Sequence, residues 1–91
     1  SLNPQETSGN IYLMKNTRNS YTKIGFTIDS PSFRERTLQS QEPEIKLICS
    51  FKGTIKDEKQ LHEFFKANRV RGEWFDLNVN HVKQIEEYFN D

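Results

Sequence analysis

One acidic residue sits where an apolar one is expected, and that position is the first to call for chemistry. Ile55, Leu61, Phe64 and Phe65 recur as the apolar stripe of a helix. At about 100° per residue, Glu58 falls inside that stripe, three positions before Leu61 and seven before Phe65. His62 follows one turn later on the same side. Burying an ionised carboxylate costs on the order of several kcal/mol unless a cation or a donor meets it. Either a Lys or Arg pairs with Glu58 from the edge of the stripe, or a metal ion does. A carboxylate completed by water suits Mg2+, which keeps most of its waters. His62 reads as a hydrogen-bonded histidine at the core edge, or as a ligand or proton carrier.

A second group comes from the first third of the chain. Residues 9–15 and 21–28 alternate apolar and polar on either side of the turn-prone run Asn16-Thr17-Arg18-Asn19-Ser20, the pattern of an antiparallel hairpin. Ile11 and Leu13 would share one face with Ile24, Phe26 and Ile28. Tyr12, Tyr21 and Lys23 would share the other, with Met14 and Gly25. Two phenols and an ammonium on one face could orient water or phosphate. The same residues also make an ordinary amphipathic sheet face, since Tyr is common in strands.

These side chains need a scaffold, and the rest of the chain outlines one. Asp29-Ser30-Pro31 is a helix start, a capping side chain followed by Pro in the first turn, and that helix should stop before Pro43. Residues 44–52 alternate as a third strand through Ile45, Leu47, Cys49 and Phe51. A second helix is expected over 55–68, a short strand over 73–77 after Gly72, and a last helix with Val79, Val82, Ile85 and Phe89 on one stripe. The order ββαβαβα predicts an α+β fold, a small antiparallel sheet with helices packed on it. Residues 1–8 read as a polar tail or linker, and 9–91 as one domain. The opening Ser1-Leu2 suggests a longer parent protein with further domains.

Charge is balanced, with 13 basic and 13 acidic residues. That total argues against a nucleic-acid partner, because phosphate binders usually carry a basic excess. The distribution argues the other way. Residues 9–36 hold five Lys or Arg against two acids, and 52–71 hold six against three, while Glu73, Asp76, Glu86, Glu87 and Asp91 gather near the end. One face can be basic in a neutral chain. The single Cys49 excludes an internal disulfide and a cysteine-based zinc site, and fits a reducing intracellular compartment, cytoplasmic or nuclear. Nothing in the sequence spans a membrane or reads as a signal peptide.

Taken together, the motifs resemble a known family. Gly9-Asn10-Ile11-Tyr12 followed by Tyr21-Thr22-Lys23-Ile24-Gly25 is similar to the paired strands that name the GIY-YIG nucleases. Glu58, Leu61-His62 and Phe65, then Arg69 and Gly72-Glu73-Trp74-Phe75, resemble the pattern E-x-x-L-H-x-x-F…R-x-x-G-E-W-F. This is the branch known from phage open reading frames and meiotically up-regulated genes. Asn10 replaces the expected Gly, Lys23 stands where the superfamily's name has Tyr, and its late Asn has no clear match, Glu73 lying near that region.

The resemblance implies a GIY-YIG-like fold and hydrolysis of DNA phosphodiester bonds with one divalent ion, Mg2+ or Mn2+, held by Glu58. Arg34 is similar to the superfamily's arginine and would donate to the phosphoryl oxygens, with Arg36 as its rival. Tyr12 would take the proton of the attacking water. A phenol ionises near ~10, so it must be acidified by neighbouring positive charge. Lys23 is the alternative base, Tyr21 would orient water or phosphate, and His62 joins the catalytic set beside Glu58. Two other readings compete. One is a catalytically silent DNA-binding module of the same fold. The other is a protein-interaction domain using the acidic helix around Glu86, Glu87 and Tyr88.

Overall fold

The computed structural model describes residues 3–90. The first strand, β1 (Ser8–Asn16), becomes the centre of a five-stranded antiparallel sheet of order β3-β1-β2-β5-β4. β2 (Thr22–Thr27) pairs with it so that Ile11 lies opposite Phe26 and Leu13 opposite Ile24, which puts these four on the shared face that alternation predicts. β3 (Ile45–Thr54) pairs along its other edge, with an irregularity at Leu13/Met14. Helix α1 (Pro31–Gln39) joins β2 to β3, and α2 (Ile55–Phe64) follows β3 directly. A hairpin of β4 (Arg69–Arg71) and β5 (Trp74–Phe75) then extends the sheet beyond β2, and α3 (Val79–Phe89) ends the fold.

The helix starts follow from local chemistry. Ser30 Oγ accepts from Phe33 N–H at 3.1 Å with Pro31 in the first turn of α1. Thr54 and Asp57 form a reciprocal capping box on α2, and Asn78 and His81 form one on α3. Tyr88 donates to Asp57 Oδ1 at 2.7 Å, which ties the end of α3 to the start of α2. Pro4–Glu6 forms a 3-10 turn in the expected polar tail, whose residues 1 and 2 lie outside the described part.

The sheet carries a core on each face. Ile11, Leu13, Ile24 and Phe75 pack with Leu61 of α2, Phe65 at its C-terminal cap and Ile85 of α3. Tyr12, Met14 and Ile45 pack on the opposite face with Leu38 of α1, Leu47 and Trp74. The face holding Tyr12 is therefore not the open surface that alternation suggests: Tyr12 is 1% exposed. A central strand buried on both faces reads as a continuous apolar run, which Ile11-Tyr12-Leu13-Met14 is.

The element boundaries differ from the sequence reading in four places. The helix expected over 55–68 ends at Phe64, and a 3-10 turn Lys66–Asn68 leads into β4, a strand that the pattern of Arg69-Val70-Arg71 hides because all three residues are exposed. The strand expected over 73–77 shrinks to Trp74–Phe75. β2 stops at Thr27, so Ile28 is 72% exposed instead of extending the apolar face. Phe64 and Val79, both assigned to apolar stripes, are 70% exposed.

Candidate functional site

β5 covers only part of the outer edge of β2. Thr22 and Lys23 pair with Phe75 and Trp74, and Ile24 N–H donates to the Glu73 carbonyl at 3.0 Å. Beyond that point β2 presents an open edge, and α2 closes it with side chains. His62 Nε2 meets the Ile24 carbonyl at 2.9 Å, and the Glu58 carboxylate accepts from Phe26 N–H. Residues four apart on a helix stand one above the other, so this pair can reach alternate backbone groups of one strand. α1 uses the same device on the outer edge of β3. Leu47 N–H donates to Glu35 Oε2 at 2.6 Å, and Gln39 Nε2 donates to the Ile45 carbonyl at 2.7 Å.

The bond made by His62 fixes its tautomer. A carbonyl only accepts, so Nε2 carries the proton and neutral His62 keeps a lone pair on Nδ1. Its ring stands edge-on to Phe75, 4.9 Å between centroids, which holds its orientation. Glu73 completes the cluster from the β4–β5 turn, where Gly72 takes φ +52°. Glu58, His62 and Glu73, all half-buried, each offer a ligand atom within 4.8 Å of one another. The two carboxylates suit a hard divalent ion such as Mg2+ or Mn2+, and the imidazole beside them is a softer donor.

The electrostatics of the cluster are unusual. The carboxyl of Glu58 is pushed up to about 7, first by burial and then by the charge and hydrogen bond of Glu73, against the opposing pull of Lys23 and Phe26 N–H. The proton that this favours belongs to Glu58, beside the Glu73 carboxylate. Lys23 Nζ pairs with Glu73 Oε1 at 3.1 Å and lies 5.6 Å from the centre of the Trp74 ring. Lys23 is the residue that turns the corner. Its pairing with Met14 and Trp74 puts it on the Tyr12 face, yet its ammonium reaches Glu73 at the strand edge.

A profile described as T5orf172 domain matches residues 9–90. The chain belongs to the T5orf172 domain family. That family is associated with nuclease-like proteins. A search of curated proteins and a search of solved structures returned no match.

In this T5orf172 domain the residues singled out in the sequence fall into four places. Glu58, His62 and Lys23 come together at the edge of β2, and Glu73 joins them from the β4–β5 turn. Its carbonyl holds Ile24, and its carboxylate lies between Lys23 and Glu58. Tyr12 belongs to the opposite face, but its ring crosses the strand and its hydroxyl rests against Gly25, between the two residues that His62 and Glu58 anchor. Arg34 lies with Pro31, Glu35, Leu38 and Gln39 on the half-buried side of α1, toward the sheet, while Arg36 is exposed. Arg34 makes no ion pair among the described residues. Tyr21 lies apart from Glu58, in a hollow with Arg18, Arg71 and Trp74.

Basic groups flank the cluster. Lys59, Lys66 and Arg69 line, with His62 and Glu63, an open depression of about 480 Å3. No helix among the described residues is long and apolar enough to cross a membrane. Cys49 is a free thiol, and burial with the charge of Glu86 pushes it up to about 11.

Proposed function

We propose that this T5orf172 domain is a GIY-YIG-type endonuclease that hydrolyses DNA phosphodiester bonds with one divalent ion. The observation that carries the reading is the convergence of Glu58, Glu73 and His62 within 4.8 Å of one another at an open strand edge, with Lys23 against them. The two carboxylates and His62 Nδ1 would hold Mg2+ or Mn2+. Bound there, the ion supplies neutralisation of charge on the scissile phosphate and on the leaving oxygen. Arg34, without a protein carboxylate of its own, donates to the phosphoryl oxygens as their charge grows. Lys23 adds a second positive charge from the Glu73 side.

Water attacks phosphorus as the bond to the leaving oxygen breaks, and its proton goes to a base. Tyr12, whose hydroxyl rests against Gly25, and Lys23, whose ammonium pairs with Glu73, are the two candidates. The basic groups Lys59, Lys66 and Arg69 beside His62 support a polynucleotide as the substrate.

A catalytically silent DNA-binding module is the second reading, favoured by one observation. Lys23 and the proton on Glu58 already balance the charge of the two carboxylates. Nicking of supercoiled plasmid with Mg2+ or Mn2+ separates the two. We expect Glu58→Ala to reduce nicking to background while DNA still shifts on a gel. Arg34→Ala should lose about 10²–10³-fold and Arg36→Ala little. Undiminished cutting by Glu58→Ala would rule out the metal assignment, and a wild-type chain that shifts DNA without nicking it is the silent module.

A further inference from the structure

The hairpin pattern groups Tyr21 with Tyr12 and Lys23, and the fold gives it different company. The turn between β1 and β2, the β4–β5 hairpin and the segment after α1 enclose a hollow of about 540 Å3, within the range of roughly 300–1,000 Å3 usual for ligand pockets. Tyr21 and Trp74, both half-buried, supply aromatic surface to it, and Arg18 and Arg71, both exposed, supply guanidinium groups. Asn16, 4% exposed, accepts from Arg18 N–H at 2.9 Å and donates to Glu42 Oε2 at 3.2 Å, so the floor of the hollow is tied by hydrogen bonds. The core does not require this composition. Arg18 and Arg71 make no ion pair among the described residues, although Glu42 lines the same hollow.

We infer that this hollow holds an unpaired nucleotide of the DNA strand, next to the phosphate that is cut. Aromatic rings accept the face of any base, guanidinium groups pair with the flanking phosphates, and a carboxylate accepts from an exocyclic amine. Trp74 and Lys23 link the hollow to the acidic cluster. Lys23 Nζ lies 5.6 Å from the centre of the Trp74 ring and 3.1 Å from Glu73, the residue just before Trp74. A base inside a duplex is covered on both faces by its neighbours and cannot enter, so the substrate class is DNA with a single-stranded or unpaired segment at the cut. This inference rests on the nuclease reading for its placement beside the cut, and the hollow can be tested without cleavage.

Trp74 is the single tryptophan of the chain and reports on the hollow directly. Metal-free wild-type protein and Glu58→Ala would be titrated with a single-stranded deoxyoligonucleotide and with its blunt duplex, following tryptophan fluorescence. The single strand should quench Trp74 and bind at least tenfold more tightly than the duplex. Arg71→Ala and Tyr21→Leu, checked for folding by circular dichroism, should each weaken single-strand binding about tenfold and leave duplex binding unchanged. Equal quenching by both probes, or unchanged single-strand affinity in the two folded variants, overturns the proposal. A chain that shows this quenching but never nicks DNA keeps the hollow and loses the nuclease reading. One that cuts blunt duplex as well as single-stranded DNA keeps the nuclease and loses the hollow.

Discussion

Glu58 concentrates the residue-scale physics, because its side chain accepts from a backbone amide, lies against the Glu73 carboxylate and lies near an ammonium. The sign of its effect on stability follows from proton counting. Its carboxyl moves from 4.5 to about 7 on folding, so between those values the folded chain holds a proton that the unfolded chain has released. Stability without metal should therefore fall as pH rises through that window. Glu58→Gln, which cannot ionise, should lose this part of the slope in thermal melts across the window. An unchanged slope would show that the Glu58 carboxyl is not raised in the folded chain. Apparent Mn2+ affinity should rise over the same window, because the proton must leave before the ion binds. Gly25 is the other informative residue. A Cβ there would collide with the Tyr12 ring, so Gly25→Ala should cost about 1–3 kcal/mol, roughly 4–8 °C in Tm per kcal/mol. A melting temperature equal to wild type would mean that Tyr12 does not lie across the strand.

At the scale of elements, helices finish the sheet. β2 and β3 both have outer-edge groups that no strand pairs, and in each case a helical i, i+4 pair answers them, Glu58/His62 on Phe26 and Ile24, and Glu35/Gln39 on Leu47 and Ile45. Edges left open are templates for association, and a side chain at hydrogen-bonding distance blocks one locally. Glu35→Ala should leave Leu47 N–H without its acceptor, cost about 1–3 kcal/mol and raise amide exchange at Leu47 by at least tenfold, with Phe26 unaffected. Glu58→Ala should do the converse. Exchange that changes equally at both amides would refute independent closure of the two edges. The same arrangement explains why an acid lies in the apolar stripe of α2. It reaches past the core to the strand edge, with Leu61 and Phe65 buried behind it.

Over the whole molecule, formal charge is zero, yet the sign is not evenly spread. Lys59, Lys66 and Arg69 gather beside His62, while Arg18 and Arg71 lie at the hollow on the Trp74 side, so the acidic cluster sits between two basic regions. A DNA strand crossing the edge of β2 would meet both. Each phosphate contact contributes about 0.9 to the slope of log K against log salt for duplex DNA and about 0.7 for a single strand. Lys59→Ala and Arg69→Ala should each lower that slope by roughly one contact. Slopes equal to wild type would place the DNA elsewhere. Net neutrality keeps the expected slope small, so the binding should depend only weakly on salt.

Much of this was legible in the residues alone. Register in the first hairpin followed from alternation, because a slip by one would turn Ile11, Leu13, Ile24 and Phe26 to the wrong face. The starts of the helices followed from capping groups, which act over three or four residues, and the acid inside the α2 stripe followed from helical periodicity. Contacts between distant segments were not legible. Glu73 joins Glu58, Lys23 crosses the strand edge, Tyr12 lies over Gly25, and Tyr21 departs to a separate hollow, because β5 pairs with only two residues of β2 and leaves the rest of that edge to α2. Periodicity reports which way a side chain faces on its own element. Where two elements end relative to one another is set by packing across the whole sheet, and that is what assembled this site.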